Sequence, residues 1–119
     1  MSSTKIKKGM DIYLRFLELI ETIQDLPALD PLEQKIFDHI ARTLRAEARV
    51  SVTDITSAST LGSSVTIHQR LKSLIAKGWI ALGDTEDGRR KQVNLTKAAQ
   101  SHLAKMSKCL MKAARSNDV

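Results

Sequence analysis

The chain has 119 residues, of which 42% are hydrophobic, 27% are charged and only 3% are aromatic. This length is typical of one domain, and the hydrophobic fraction is enough for a folded core. Lysine and arginine number 19, and aspartate and glutamate number 13, so the formal net charge is +6. These figures exclude a two-domain enzyme and a disordered chain.

Targeting features are absent from the sequence. No apolar run approaches the roughly 20 residues that a membrane span needs, because the longest candidate, residues 12–23, contains Arg15, Glu18 and Glu21. The first residues include lysines but no apolar signal core, so we expect neither secretion nor a membrane partner. The single cysteine, Cys109, rules out an internal disulfide and suits a reducing compartment. We therefore predict a cytoplasmic protein.

Charge is distributed unevenly along the chain. Residues 11–60 carry five basic and nine acidic groups, whereas residues 61–119 carry eleven basic and four acidic groups. Two long windows, 55–83 and 88–117, contain no acid at all. Segregation of this kind makes one side of a small fold electropositive and favours a polyanionic partner. A basic face kept only for solubility explains the charge equally well.

Two helices are predicted in the first half of a single domain, residues 10–119, which follows a flexible basic tail, residues 1–9. Residues 10–26 have two apolar rows, which is more apolar surface than one small domain covers. We therefore expect one row to lie in a dimer interface, namely Ile12, Phe16, Leu19 and Ile23. Pro27 ends this helix. Asp30 then predicts the N-cap of a second helix that extends to about residue 46.

The next segment predicts two helices joined by a tight turn. We expect Thr53 to cap a short helix over residues 54–58, and Ser63 or Ser64 to cap a longer helix. The longer helix ends at Gly78, since glycine adopts the left-handed conformation of a helix stop. Two helices joined in this way form a helix-turn-helix pattern.

A β-hairpin and a last helix complete the predicted fold. Residues 79–83 and 90–95 alternate in polarity around an Asp-Gly turn, which is typical of a hairpin, whereas residues 50–52 are too short for more than an edge strand. Thr96 caps a helix that runs to about residue 115. Its apolar positions follow the spacing of a coiled-coil seam, and we assign three of them to the dimer interface: Leu103, Met106 and Leu110.

The longer helix of the pair has one packed and one polar side. At about 100° per residue, Ile67, Leu71, Leu74 and Ile75 share the packed side. The remaining surface of this helix carries no carboxylate and combines hydrogen-bonding groups with cations, as base reading and phosphate anchoring require. We predict that it contacts DNA through Ser63, Ser64, Val65, Thr66, His68, Gln69, Arg70, Lys72 and Ser73. A polar surface that merely faces solvent is the alternative.

Individual side chains on this helix suit particular partners. Gln69 is suited to adenine, Arg70 to guanine or phosphate, and Val65 to a thymine methyl group. The serine hydroxyls at the helix start suit a phosphate. At the hairpin we expect Arg89 to enter the minor groove and Arg90 and Lys91 to meet flanking phosphates. A charged edge that prevents aggregation is the alternative for these three residues.

Catalytic and metal-binding patterns are missing. The three histidines and Cys109 show no metal-ligand spacing. There is no nucleophile–base pair at a recognisable spacing and no glycine-rich phosphate loop. We therefore expect no enzymatic activity, no metal and no cofactor.

Four short runs carry a resemblance to a known family: 52–55 (VTDI), 74–80 (LIAKGWI), 87–89 (DGR) and 95–96 (LT). A helix-turn-helix followed by a hairpin is a winged helix, and with these runs the chain resembles the MarR family of bacterial transcriptional regulators over about residues 30–110. Two features depart from the family. Ala99 stands where members often have glycine, and the chain is shorter than most members.

The resemblance implies a mainly α-helical winged helix-turn-helix fold with a small β-hairpin wing. Its DNA-binding lobe would comprise residues 30–96, and the helices at about 10–26 and 97–115 would join a homodimer on a pseudo-palindromic double-stranded operator. Asp87 would orient Arg89. A small-molecule effector is a further partner that the resemblance implies.

Two other functions compete with a DNA-binding regulator. A winged helix that serves as a protein-interaction module would use the same basic surface to bind an acidic partner. An RNA or single-strand binder would need exposed aromatic side chains for base stacking, and this chain has few. The acid-free side of the longer helix and the wing arginine favour double-stranded DNA.

Overall fold

The computed structural model describes residues 8–47, 49–84 and 91–115. In chain order these residues form the helices α1 (Lys8–Ile20), α2 (Pro31–Glu47) and α3 (Val52–Thr56), a 3₁₀ turn (Ser59–Leu61), α4 (Ser64–Ala76), the strands β1 (Ile80–Asp84) and β2 (Lys91–Leu95), and α5 (Lys97–Arg115). The predicted class, mainly α-helical with a small hairpin, is confirmed. None of the helices in these ranges is long and apolar enough to cross a membrane.

Backbone contacts divide the chain into two units. The terminal unit comprises Met1–Asp25 and Ser101–Val119, and the central unit comprises Leu26–Gln100. The central unit includes the whole of the predicted DNA-binding lobe, residues 30–96. Helix α5 begins in the central unit and continues into the terminal unit.

Helix α1 ends at Ile20, earlier than the predicted end at residue 26. The hydroxyl of Thr22 donates to the carbonyl of Leu19 at 2.7 Å, and the backbone N–H of Ile23 bonds the carbonyl of Ile20 at 3.0 Å. A threonine hydroxyl that bonds a nearby carbonyl competes with the helical pattern, and bonds three residues back tighten the last turn. The helix therefore stops before Pro27 is reached.

Asp25 follows this turn and contacts α5. One carboxylate oxygen of Asp25 lies 2.9 Å from His102 Nδ1, and the other lies 3.2 Å from Lys105 Nζ. Burial acts to raise the pKa of Asp25, but the hydrogen bonds from His102 and Lys105 outweigh it and lower the pKa below its ordinary value. This cluster therefore ties the segment after α1 to α5 within the terminal unit.

Helix α2 begins as predicted. Asp30 Oδ1 accepts from the Glu33 backbone N–H at 2.7 Å, and Glu33 Oε1 accepts from the Asp30 N–H at 2.8 Å. This reciprocal pair is a capping box, which satisfies two backbone donors that the helix leaves free. From this start, α2 buries Ile36, Phe37 and Ile40 against the rest of the central unit.

Helix α3 differs from the prediction in its cap. Ser51, not Thr53, is the N-cap, because Asp54 lies three residues after it and completes a capping box with both bonds at 3.0 Å. The predicted strand over residues 50–52 is reduced to one bridge between Ser51 and Gln92. Ser51 therefore both caps α3 and pairs with strand β2 of the hairpin.

Helix α4 is capped by Ser63 and is followed by Gly78, whose φ of 83° is readily adopted only by glycine. The strands then pair antiparallel from Ile80 with Leu95 to Asp84 with Lys91. Strand β1 begins one residue later than predicted, and Arg90, the predicted start of the second strand, lies outside the described residues. Trp79 precedes β1 and is buried, with its indole N–H donating to the carbonyl of Pro27 at 2.9 Å.

The core of the central unit is mostly aliphatic. The helices α2, α3 and α4, the 3₁₀ turn, the two strands, the start of α5 and the segments that join them contribute Ile36, Phe37, Ile40, Val50, Ile55, Leu61, Ile67, Leu71, Leu74, Trp79, Ile80, Val93 and Ala99. Ile75 is an exception to the predicted packed side of α4, since its side chain is 38% exposed. At 100° per residue Ile75 lies at the edge of the row formed by Ile67, Leu71 and Leu74, so the row covers it only partly.

Candidate nucleic-acid interface

The outer side of α4 is exposed and carries no acidic side chain. Val65 is the most exposed large apolar residue described, at 67%, and the other exposed members of the predicted contact set on this helix are Ser64, His68, Gln69 and Lys72. Because α4 is one continuous helix, these side chains project from a single rigid element. Their chemistry is that of hydrogen-bond donors and acceptors, one lysine and one apolar group.

The start of α4 uses part of its hydrogen-bonding capacity internally. Ser63 Oγ accepts from the Thr66 N–H at 3.3 Å and donates to Thr66 Oγ1 at 2.9 Å. Ser63 is exposed and Thr66 is half-buried. The Thr66 hydroxyl keeps a proton to donate, so this end of the helix still offers a donor to an external acceptor.

Arg70 is paired within the chain. Its Nε lies 3.0 Å from Asp30 Oδ2, although the N–H is not directed well enough at that oxygen to form a hydrogen bond. The two side chains remain 35% and 42% exposed. Asp30 therefore caps α2 with one carboxylate oxygen and holds the guanidinium of Arg70 with the other.

The direction of the Ser73 side chain differs from the prediction that Ser73 contacts DNA. Its hydroxyl donates to Glu33 Oε2, so the side chain is directed towards the start of α2 and not towards the outer side of α4. Lys77 is directed the same way and donates to Glu33 Oε1 at 2.7 Å and to the carbonyl of Ala28 at 2.9 Å. The structure thus gives Ser73 a role inside the central unit.

Glu33 is a charged side chain that is only 1% exposed. Burial acts to raise the pKa of its carboxyl group, but the hydrogen bonds from Lys77, Ser73 and the Asp30 backbone, together with the charge of Lys77, lower it to about 2. The carboxylate is therefore ionised at neutral pH. Sequence reasoning found Glu33 only as part of a helix start, because its partners lie 40 and 44 residues further along the chain.

The hairpin lies beside the outer side of α4. Lys91, at the start of β2, is exposed, and Leu82 of β1 is 44% exposed. A surface pocket of about 350 Å³ separates them from α3 and α4, and it is lined by Val52, Thr53, His68, Leu71, Lys72, Ile75, Leu82 and Lys91. The structure therefore brings Lys91 together with Lys72 and His68. Arg89 and Arg90 lie outside the described residues.

The terminal unit exposes a second group of apolar side chains. Six of the residues predicted for the dimer interface are half-buried: Ile12, Phe16, Leu19, Ile23, Leu103 and Met106. Leu110 is 52% exposed. The other row of α1 is more exposed, with Tyr13 at 60%, and Met111 of α5, which the seam spacing did not include, reaches 57%.

Residues 8–47, 49–84 and 91–115 contain no group of three or more histidine, cysteine, aspartate or glutamate side chains that could hold a metal ion. No family model matches the chain, and no curated protein sequence matches it. Solved structures do resemble it.

Three solved structures illustrate the similarity, and the chain spans about three quarters of the length of each. A probable transcriptional regulator from Pseudomonas aeruginosa is 17% identical over 89% of this chain and 76% of its own length, with a TM-score of 0.55. A mutant of MarR from E. coli in complex with operator DNA is 12% identical over 92% and 74%, with a TM-score of 0.56. BpsR from Bordetella bronchiseptica, whose DNA binding is regulated by 6-hydroxynicotinic acid, is 20% identical over 89% and 77%, with a TM-score of 0.51. The chain therefore has the winged helix-turn-helix fold of the MarR-type transcriptional regulators.

Proposed function

We propose that the protein is a sequence-specific, double-stranded DNA-binding transcriptional regulator and not an enzyme. In this proposal α4 lies in the major groove, and the hairpin lies against the neighbouring backbone. The observation that carries the proposal is the exposed, acid-free side of α4 next to Lys91, in a fold shared with a MarR structure that contains operator DNA. A side of this kind combines base-reading groups with phosphate-binding cations.

Selection of bound duplexes from a random DNA pool tests this proposal. We expect enrichment of a short sequence that is repeated in inverted orientation, with half-sites about one helical turn apart, as two symmetric recognition helices require. A pool that is bound but never enriched would refute sequence specificity. No binding of duplex DNA, combined with capture of an acidic protein, would favour the interaction-module alternative.

Gln69 is the side chain to which we assign base reading. It is exposed on α4, and a glutamine amide bonds adenine through two hydrogen bonds that no other base pair offers in the same arrangement. Gln69→Ala is expected to remove the preference at one position of each half-site and to weaken operator binding about 30- to 10⁴-fold, because a contact worth about 1–3 kcal/mol is lost in each of the two half-sites. Repeating the selection with this variant checks the prediction. An unchanged selected sequence would remove Gln69 from base reading.

The proposal includes a homodimer joined by α1 and α5. The apolar side chains left exposed on both helices of the terminal unit support it, and two copies would place two recognition helices on a pseudo-palindrome. Leu110→Lys is expected to give monomers in sedimentation, because a charge would be buried in the apolar contact. Ser101→Lys is the matched control, since Ser101 is exposed on the opposite side of α5 from the seam. A Leu110→Lys dimer would place the interface elsewhere.

Two further parts of the proposal rest on the sequence and on a relative. Arg89, at the predicted tip of the hairpin, is assigned to the minor groove, where narrow A·T tracts attract arginine, and Arg90 is assigned to a flanking phosphate. The regulation of BpsR by 6-hydroxynicotinic acid supports a small-molecule effector as a further partner.

A further inference from the structure

One side of α4 is fastened to the start of α2 by polar contacts. Arg70, Ser73 and Lys77 are spaced three and four residues apart, so they lie along one side of the helix. Arg70 contacts Asp30, and both Ser73 and Lys77 donate to Glu33. All three links therefore end on the two side chains that form the capping box of α2.

Glu33 is the centre of these links. Its Oε1 accepts from Lys77 Nζ at 2.7 Å and from the Asp30 N–H at 2.8 Å, and its Oε2 accepts from Ser73. With 1% of its surface exposed, Glu33 is out of reach of a DNA duplex. An effect of Glu33 on DNA recognition is therefore indirect, and its side-chain bonds from Ser73 and Lys77 link it to α4.

The apolar contacts of α4 define the rotation of the helix about its own axis less sharply than these polar links do. Ile67, Leu71 and Leu74 are buried, but hydrophobic burial is not directional. Hydrogen bonds to a fixed carboxylate are directional, with narrow ranges of distance and angle, and buried polar contacts select one packing arrangement in some proteins. A helix that reads bases needs such a fixed setting, because base contacts depend on the geometry of each side chain.

We propose that Glu33 is a positioning residue for the recognition helix. Its carboxylate holds Ser73 and Lys77, and thereby sets the rotation in which the outer side of α4 meets the bases. This inference rests on the proposed DNA-binding function, and it assigns a specificity-determining role to a residue that does not touch DNA. Hydrogen bonds from Lys77, Ser73 and the Asp30 backbone keep the pKa of Glu33 below its ordinary value, so the carboxylate is ionised at neutral pH.

Glu33→Gln tests the inference with the full chain. Glutamine keeps the size of the side chain but removes the charge and replaces one acceptor oxygen with a donor group. We expect affinity for the selected operator to fall about tenfold, the scale of one lost base contact, while affinity for a scrambled duplex changes less than about twofold, since nonspecific binding follows charge. Glu47→Gln is the matched control, because it removes the same charge from an exposed site on α2.

Ser73→Ala is the second variant, and it removes only one hydroxyl. We expect the Glu33→Gln/Ser73→Ala double variant to lose no more discrimination than the more affected single variant, because both changes break the same link. If the double variant instead loses discrimination by the product of the two single-variant losses, Ser73 acts independently of Glu33, as a direct DNA contact would. That result would overturn the inference. Affinities are compared at a temperature where the variants retain the helical circular dichroism of the wild type.

The outcomes separate this inference from the proposed function. A wild-type protein that selects an operator, together with a Glu33→Gln variant of unchanged discrimination, overturns the positioning role and leaves the DNA-binding function in place. Equal losses on operator and scrambled duplex also overturn it, since they reflect a general loss of binding. A wild-type protein that selects no duplex refutes the proposed function and the inference together.

Discussion

Replacing Glu33 with alanine is expected to lower the free energy of unfolding by about 2–4 kcal/mol. The change leaves the Ser73 hydroxyl and the Asp30 N–H without their acceptor, which costs about 1–3 kcal/mol for a buried group, and it opens a cavity. Lys77 is partly exposed, so its ammonium group remains hydrated and adds little. For a domain of this size we expect the Tm to fall by about 10–25 °C, as measured by thermal unfolding.

The effect of Glu33 should also depend on pH in a defined direction. Its pKa is about 2 in the folded chain against an ordinary value of 4.5, so the ionised form is favoured by folding. The stabilisation is therefore complete above pH 4.5 and is lost as the pH falls towards 2. The stability difference between wild type and Glu33→Ala should shrink over that interval. Glu47→Ala is the control, and a Glu33→Ala variant with the wild-type Tm would contradict the role assigned to the buried carboxylate.

Raising the salt concentration from 50 to 200 mM is expected to weaken DNA binding by about 10³- to 10⁵-fold, provided that a dimer neutralises about 6–10 phosphates. The cations that we assign to phosphates or to the grooves are Lys72, Arg89, Arg90 and Lys91. Their contacts release counterions, and the release is opposed by added salt. Fluorescence anisotropy of a labelled operator over a salt series measures the slope.

Lys72→Gln isolates one part of this dependence. Loss of one phosphate contact in each subunit should reduce the slope of log affinity against log salt by about 1.8 for a dimer. Lys35→Gln is the matched control, because Lys35 is exposed on the side of α2 away from Ile36, Phe37 and Ile40. Equal changes in the two variants would show that only net charge matters and would remove Lys72 from the interface.

Local sequence rules predicted most of the element order. The Asp30 cap, a serine cap for α4 (Ser63, of the two serines predicted), the stop at Gly78 and the hairpin are confirmed, because each depends on residues within a few positions of one another. The errors were also local. The sequence pattern assigns the cap of α3 to Thr53 because Ser51, two residues earlier, is taken as part of the short strand over residues 50–52.

The internal links of the candidate site could not be predicted in the same way. Helical spacing indicates which side chains share one side of α4, but not what lies opposite them. Spacing alone therefore predicts a DNA contact at Ser73, whereas in the fold its hydroxyl donates to Glu33. The pairing of Arg70 with Asp30 was hidden for the same reason, since the two residues are 40 positions apart.

The tryptophan that packs behind the hairpin provides a built-in optical probe. Trp79 is the only tryptophan of the chain, and it is 4% exposed, in a T-shaped contact with the ring of Phe37 at a centroid distance of 4.9 Å. Its fluorescence therefore arises from one indole in the middle of the central unit. Emission that shifts to longer wavelength on denaturation would report the loss of this unit alone, without a label and without interference from any other fluorophore of its kind.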